Sequence, residues 1–272
     1  NQVTSASAWV HSNGGYFDID WLDYRYPDNV NLGGLSDLNH YQSSNLYARV
    51  GYKLQQKVFS LSGEITWIEH EVKSVGLPVP AGTVIGNSTL SNDFYDGPWW
   101  KTQTFKGEVR GGYSFLAHVL SGGLYAQEEK LTQAGTITNH MAANNAFAAP
   151  DDQYYLGQIQ AFRHVDTFDS LKRSQASWGG YAELRSEWME RLTSFAGARY
   201  DNIEKLGFAV TPRLSLVYQP VLNQRWRVQY GEAFRLPVLN ELYSNDNVTV
   251  GNPDLKKEKV ATLELEWQQQ FS

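Results

Sequence analysis

The segment "LGFAVTPRLSLVYQPVLNQRWRVQYGEAFR", residues 206–235, indicates the fold class, because it reads as two long strands joined by a tight turn. Apolar residues alternate with polar or small ones along 206–219, and the same two-residue period returns along 225–235. Soluble strands usually have about 5–6 residues, whereas a tilted membrane strand needs about 9–11. The length of both strands therefore favours a membrane hairpin.

The same period recurs along the whole chain, while helical periodicity is nearly absent. Short connections alternate with long ones, and only 202–205 breaks this rule. Tight turns at one end and long loops at the other are typical of an outer-membrane barrel. The long loops are 27–42, 73–100, 131–173 and 236–257. We predict eleven antiparallel strands, at 2–12, 16–26, 43–55, 58–72, 101–115, 119–130, 174–188, 192–201, 206–219, 225–235 and 258–270.

Alternation alone also fits a half-buried sheet, so a soluble β-sandwich is the alternative fold. The aromatic residues of the apolar register favour the barrel, because they gather at both ends of the strands with small and aliphatic residues between them. Beside the short turns lie Tyr52, Phe59, Tyr113, Phe115, Trp188, Tyr218 and Trp226. Towards the long loops lie Trp67, Phe105, Trp178, Tyr200, Phe208 and Phe234.

Composition excludes several classes of protein. The 272 residues carry a net charge of -6 with no basic stripe, which argues against a nucleic-acid partner. Without cysteine there is no disulfide framework and no cysteine-based metal site. Hydrolase and nucleotide-binding motifs are absent from the sequence. We therefore predict that the chain has no catalytic residue, no metal ligand and no cofactor, and that it is not an enzyme.

An odd number of strands is unusual, since bacterial single-chain barrels have even strand counts. An open sheet would also leave two edges with unpaired backbone groups exposed to lipid, which a bilayer does not tolerate. We therefore expect this chain to be part of a larger barrel. The whole chain, 1–272, is assigned to one partial barrel domain.

At "YGEAFRLPVLNELY" and "GNPDLKKE" the sequence resembles the TonB-dependent receptors of Gram-negative outer membranes. The departures from the family pattern are Leu236, Val238 and Lys257. The segment "GYAELRSEWMERLTSFAGARYD" at 180–201 is similar to another strand pair of the family. Positions that match the motif are Tyr230, Gly231, Ala233, Phe234, Arg235, Pro237, Glu241, Leu242, Tyr243, Gly251, Asn252, Pro253, Leu255, Lys256 and Glu258.

The resemblance implies an all-β fold, an antiparallel transmembrane barrel of about 22 strands, of which about eleven are present. Nothing in 1–272 resembles the family's plug domain or TonB box. The implied function is TonB-coupled uptake of a scarce ligand, most often a ferric siderophore, across the outer membrane. The implied partners are outer-membrane lipid, the ligand, and the TonB complex through a plug and TonB box. Alternatives are a passive channel or structural barrel, and uptake of cobalamin or another non-iron ligand.

Candidate ligand contacts are aromatic and charged residues of the outer loops and the lumen. For Trp99 and Trp100, the alternative is a place in the outer aromatic belt. Residues 153–166 form a strand, a hairpin or a short helix on the rim. The candidates are Trp99, Trp100, Tyr154, Tyr155, Arg163, His164, Arg235 and Tyr243.

A second group of charged residues falls on the polar register of the strands. One interpretation is a wall that pairs with a plug and lines a route for an anionic ligand. The other is ion pairing among these residues themselves, with little energetic consequence. The group comprises Arg49, Lys106, Glu108, Arg110, Glu183, Arg185, Arg199, Arg213, Arg227, Arg235 and Glu264.

Overall fold

The structure is a computed structural model, which describes residues 2–26, 38–85, 87–140, 154–163, 174–237, 241–242 and 251–271. No helix in these ranges is long and apolar enough to cross a membrane. The strands are β1 (Gln2–Ser12), β2 (Gly15–Tyr26), β3 (His40–Gln55), β4 (Phe59–Val79), β5 (Val84–Ile85), β6 (Ser88–Thr89), β7 (Phe94–Phe115), β8 (His118–His140), β9 (Tyr155–Arg163), β10 (Ser174–Met189), β11 (Leu192–Ile203), β12 (Gly207–Val221), β13 (Gln224–Arg235) and β14 (Glu258–Gln269).

One antiparallel sheet contains nearly all of these strands, in the order β1-β2-β3-β4-β7-β8-β10-β11-β12-β13-β14. These eleven strands are the eleven that the sequence predicts, and each pairs with its neighbour along this path. In the part of the chain that the structure describes, β1 and β14 do not pair with each other, so the sheet is open. The all-β, antiparallel prediction is confirmed.

Three strands run well beyond their predicted ends, which corrects the prediction that 73–100 and 131–173 are loops throughout. β4 continues to Val79, β7 begins at Phe94 and β8 reaches His140. β9 pairs with the end of β8, so the described part of 153–166 is mainly a strand. The extensions are stable because they bury a small core of Val75, Leu77, Tyr95 and Ile137. The separate pair β5–β6 lies between β4 and β7 in the chain.

The two faces of the sheet differ sharply in chemistry. The polar face carries Asp18, Arg49, Glu64, Glu108 and Asp201, which the strand register places on one side. The apolar face leaves large aliphatic side chains uncovered, for example Leu124 at 71%, Leu263 at 74% and Leu265 at 72% exposure. Soluble monomers rarely expose a continuous apolar surface of this extent. The apolar face is therefore built to contact a hydrophobic medium.

Aromatic residues line both ends of the apolar face. Near the tight turns, Tyr218 of β12 pairs with Trp226 of β13, which pairs with Trp267 of β14. Towards the other end, the Tyr200 ring lies 5.5 Å from Trp178 and 6.1 Å from Phe208. These rows match the two aromatic belts that the sequence predicts.

The tight turns lie at one end of the sheet, where the backbone adopts left-handed conformations. Gly14 has φ +88, and an added Cβ there would clash with the backbone carbonyl of Lys53. Leu116, in the turn between β7 and β8, has φ 51. At the opposite end, a short connection links β11 to β12 through Lys205, with φ 67. The exception at 202–205 is therefore a genuine tight turn.

Candidate functional site

The extended ends of β4, β7, β8 and β9 hold the first group of predicted ligand contacts. Trp99 packs against the core of Val75, Leu77, Tyr95 and Ile137, and its indole N–H donates to Glu71 at 2.8 Å. Trp100 is half-buried between Val72 of β4 and Ala134 of β8 in the strand register. Both tryptophans therefore support the extension, and their contact with a ligand stays a prediction.

Glu71 joins Trp99 to Lys73 above the outer aromatic belt. The Lys73 Nζ lies 2.9 Å from the Glu71 carboxylate and 5.7 Å from the centre of the Trp99 ring. Burial by itself raises the pKa of Glu71, but hydrogen bonds from Lys73 and Trp99, with the nearby charge of Lys101, bring it below its ordinary value. The carboxylate is therefore ionised at neutral pH and fixes the Trp99 ring.

The residues of β9 occupy the rim of the sheet. Tyr154 immediately precedes the strand and Tyr155 begins it, with its ring 5.2 Å from that of His140. The His140 ring also lies 5.3 Å from Phe94, so these three rings form one aromatic cluster. Arg163 ends β9 opposite Gly135. Two candidates, His164 and Tyr243, lie outside the described residues.

The motif that carries the family resemblance forms a cluster of ion pairs and hydrogen bonds where β13 ends and β14 begins. The Arg235 guanidinium pairs with the Glu241 carboxylate and lies 3.5 Å from Glu258. The Asn252 backbone N–H donates to the Glu241 carbonyl oxygen at 2.8 Å. The Asn252 side chain accepts from the Asp254 N–H at 2.9 Å. The pKa of Arg235 is raised by its hydrogen bond to Glu241 and by the charge of Glu258.

The other motif positions differ in their burial and contacts. Leu242 and Pro237 are buried, whereas Ala233, Pro253 and Leu255 are exposed. Gly251 precedes the Asn252 turn, and Phe234 is half-buried near the end of β13. The Tyr230 hydroxyl donates to Glu232 at 2.6 Å, and Gly231 pairs with Arg213 and Thr262. The ion pairs and backbone hydrogen bonds thus account for Arg235, Glu241, Asn252 and Glu258 of the motif.

Two rows of cross-strand neighbours on the polar face have the same composition: a tyrosine, a glycine and a carboxylate on three adjacent strands. In the first row, Tyr16, Gly51 and Glu64 are direct cross-strand neighbours on β2, β3 and β4. The Tyr16 ring covers Gly51, and its hydroxyl donates to Glu64 at 2.6 Å. The Arg49 guanidinium lies 5.3 Å from the ring centre and donates to Asp18 at 2.6 Å. An aromatic ring over a strand glycine stabilises the pairing of the strands.

The second row repeats this arrangement on β8, β10 and β11. Tyr125, Gly179 and Asp201 are cross-strand neighbours, with the Tyr125 ring against Gly179. The hydroxyl donates to Asp201, whose side chain is 1% exposed. The Arg199 Nε lies 2.9 Å from both Asp201 oxygens, and its guanidinium sits 4.8 Å from the Tyr125 ring centre. Each row therefore ties three strands together through one polar cluster.

Neither row was evident from the sequence. Glycine within a strand indicates close approach of another group, and that signal is present at Gly51 and Gly179. Which tyrosine approaches depends on strand register, which spacing along the chain does not provide. Among the described residues, no group of three or more His, Asp or Glu side chains is placed to hold a metal ion.

The comparisons with known proteins agree with this architecture. The family model described as TonB-dependent receptor-like, β-barrel, matches residues 3–272. The chain belongs to the TonB-dependent receptor family. These receptors are β-barrel proteins of the Gram-negative outer membrane and act in transport rather than as enzymes. In such barrels the lipid-facing band is apolar and the interior is polar. The polar face therefore lines the lumen of this receptor barrel, and the apolar face contacts lipid.

Individual relatives are similar to parts or all of the chain. The vitamin B12 transporter BtuB of Vibrio cholerae is 26% identical over 109 residues, which are 40% of this chain and 17% of that protein. The siderophore receptor PirA from Acinetobacter baumannii has a TM-score of 0.58 at 16% identity, over 99% of this chain and 41% of that one. The ferric yersiniabactin uptake receptor FyuA from Yersinia pestis has a TM-score of 0.60 at 10% identity, over 99% and 43%.

At these identities the likeness to solved receptors establishes the fold. The chain spans less than half the length of PirA and of FyuA, and a smaller share of BtuB. Its eleven-stranded path therefore corresponds to part of the barrel of such a receptor.

Proposed function

We propose that this barrel region serves TonB-coupled uptake of a scarce ligand, with a ferric siderophore as the leading substrate class. The observation that carries the proposal is the family match over residues 3–272, on a sheet with a polar lumen wall and an apolar lipid face. PirA and FyuA, whose barrels have the same fold, are described as a siderophore receptor and a ferric yersiniabactin receptor. Their ligand class is therefore the first to test.

Coupling in this family depends on the TonB complex, and we expect it to act here through a plug and TonB box encoded with this barrel. The outer extension of β4, β7, β8 and β9 would then present Trp100, Tyr154 and Tyr155 towards incoming ligand. Aromatic faces and cations such as Arg163 and Arg235 suit a bulky anionic chelate. His164 and Tyr243 belong to the same proposed set.

A second candidate ligand is vitamin B12, because the chain matches the vitamin B12 transporter BtuB in sequence. That match covers 40% of the chain. We expect vitamin B12 to use the same energy-coupled route as a siderophore. A passive channel would conduct without energy coupling, so dependence on TonB separates it from both receptors.

The deciding experiment is deletion of the gene, with complementation, in the bacterium that carries it. We expect the deletion to abolish TonB-dependent accumulation of radiolabelled iron from at least one of a defined set of ferric siderophores. Growth on limiting cobalamin is measured in parallel. Loss of cobalamin uptake with all iron chelates unaffected would overturn the siderophore assignment. Solute entry that persists without TonB would overturn energy-coupled uptake altogether.

A further inference from the structure

The pairing of β12 with β13 stops halfway along the two strands. Cross-strand pairs run from the tight turn up to Arg213 opposite Gly231, and among the described residues none joins the outer segments 207–212 and 232–235. On their other sides both segments stay paired, 207–212 with β11 and 232–235 with β14. Each strand has both of its neighbours in this chain, so the split does not arise from the open edges of the sheet.

Pro212 explains where the split begins. The Gln219 N–H donates to the Arg191 carbonyl oxygen, so the odd-numbered residues of β12 direct their backbone groups to β11 and the even-numbered ones to β13. The backbone nitrogen of Pro212 therefore faces β13, and it carries no N–H to continue the ladder. The last paired residue of β13 is Gly231, and a glycine within a strand weakens the strand at that point.

Lys257 bridges the split at its outer end. This residue lies in the connection that leads into β14, yet its ammonium donates to the carbonyl oxygen of Phe208 on β12 and lies 5.7 Å from the centre of the Phe208 ring. Lys257 is half-buried, whereas every residue of 252–256 is exposed. It is also one of the positions at which the sequence departs from the family pattern. A side-chain contact particular to this chain thus replaces a strand pair that is missing.

The outer halves of β13 and β14 are held together as one unit. Their pairing continues up to Arg235 opposite Glu258, and the Arg235 guanidinium also pairs with Glu241 in the connection. The Asn252 N–H donates to the Glu241 carbonyl oxygen, which joins the two sides of the connection. This unit, which we call the outer flap, comprises the described residues 232–237, 241–242 and 251–261.

We propose that the outer flap moves about a hinge at Gly231 and that Lys257 is the latch that holds it against β12. Opening would break the hydrogen bond and the cation–π contact of Lys257 but no pair between the strands, because the ladder is already interrupted. Phe208 and Phe234 belong to the outer aromatic belt, so the split lies at the membrane–water interface, where water reaches unpaired backbone groups. Arg235, a candidate ligand contact, lies on the flap, so the latch sets its position at the rim.

Hydrogen exchange at single amides tests the split, in the complete receptor that contains this barrel region, folded in detergent micelles. On β13 the odd-numbered residues pair with β14, so the even-numbered amides face β12. We therefore expect the amides of Glu232 and Phe234 to exchange at least tenfold faster than those of Ala233 and Arg235. Equal protection of all four amides would show a continuous ladder and refute the flap.

Restoring the missing donor is the second test. Pro212→Val should slow the exchange of the Glu232 and Phe234 amides at least threefold, because the ladder with β12 is then able to continue. Pro220→Val, at the inner end of the same strand, is the matched control and should change these two amides less than twofold. An unchanged exchange rate in Pro212→Val, or equal slowing by both variants, would overturn this account of the split.

The latch is tested with spin labels at Val210→Cys on β12 and Lys259→Cys on β14, two exposed positions. Lys257→Met removes the ammonium and should weaken the dipolar broadening between the labels at least twofold, whereas Lys257→Arg still donates and should retain most of it. Lys256→Met is the matched control, since Lys256 is an exposed neighbour with no contact to β12 in the described ranges. No loss in Lys257→Met, or an equal loss in Lys256→Met, would refute the latch. Neither measurement follows transport, so failure here leaves the proposed uptake function untouched.

Discussion

Tyr125→Phe removes a single hydroxyl from the second tyrosine–glycine row and leaves the rest of the row in place. The hydroxyl donates to Asp201, a carboxylate that is almost completely buried and also accepts from Arg199. The ring would still cover Gly179 and still face the Arg199 guanidinium at 4.8 Å. The change therefore isolates one hydrogen bond to a buried charge.

A hydrogen bond to a charged group contributes about 1.5–3 kcal/mol to stability. Because Arg199 continues to satisfy Asp201, we expect the lower part of that range, about 1.5–2 kcal/mol less free energy of unfolding. Asp201→Asn should cost more, since it removes the ion pair as well. Breaking a buried pair costs about 3–5 kcal/mol, but the Arg199 side chain is 47% exposed and water can solvate it. We therefore expect about 2–3 kcal/mol for Asp201→Asn.

The measurement is urea unfolding of the receptor that contains this barrel region, folded in detergent micelles and followed by tryptophan fluorescence. Tyr113→Phe is the matched control, because Tyr113 lies on the lipid face at 50% exposure and its hydroxyl has no protein partner in the described ranges. That control should lie within about 0.5 kcal/mol of the parent. If Tyr125→Phe were no more destabilising than Tyr113→Phe, the row would not hold the strands together as argued.

Three further expectations concern other parts of the wall and rim. Gly179→Ala should lower the free energy of unfolding by about 1–3 kcal/mol through overpacking, because the added Cβ would clash with the backbone of β11. Gly107→Ala is the control in the same urea titration and should cost less, because no atom lies near its added Cβ. Arg235→Gln should change overall stability by less than about 1 kcal/mol yet speed hydrogen exchange at the 252 amide. Because the pKa of Glu71 is lowered, its pairing with Lys73 contributes fully to stability above the ordinary pKa of 4.5, and this contribution is lost as the pH falls below 4.5. An NMR titration of the carboxyl carbon shift, with Glu71→Gln as the control, measures this protonation.

The strands were predictable because their signal is local. Alternation over ten or more residues fixes both the existence of a strand and the side on which its residues lie. The ends of β4, β7 and β8 were missed because Val75, Leu77 and Ile137 are stabilised by each other across strands rather than by a local pattern. Packing of this kind overrides propensity, so 73–100 and 131–173 read as loops.

The site residues also divide into those that the local sequence reveals and those that depend on contacts between strands. The motif from Tyr230 to Glu258 was found by resemblance, and the structure adds its physical reason, the bridge from Arg235 to Glu241 and Glu258. The partners of Tyr16 and Tyr125 could not be found, since each lies one or two strands away and tens of residues along the chain. Only the register of the folded sheet brings them together.

The two tyrosine–glycine rows leave little hydrogen-bonding capacity unused on this part of the lumen wall. In the rows of Tyr16 and Tyr125, the carboxylate, hydroxyl and guanidinium satisfy one another, so a passing ligand would have to break existing bonds to engage them. A charge whose hydrogen bonds are already made stabilises the strand pairing, and the same bonds make it a poor contact for a ligand. In these two rows the charged residues therefore act as scaffold, and their mutation should change the stability of the barrel before it changes ligand affinity.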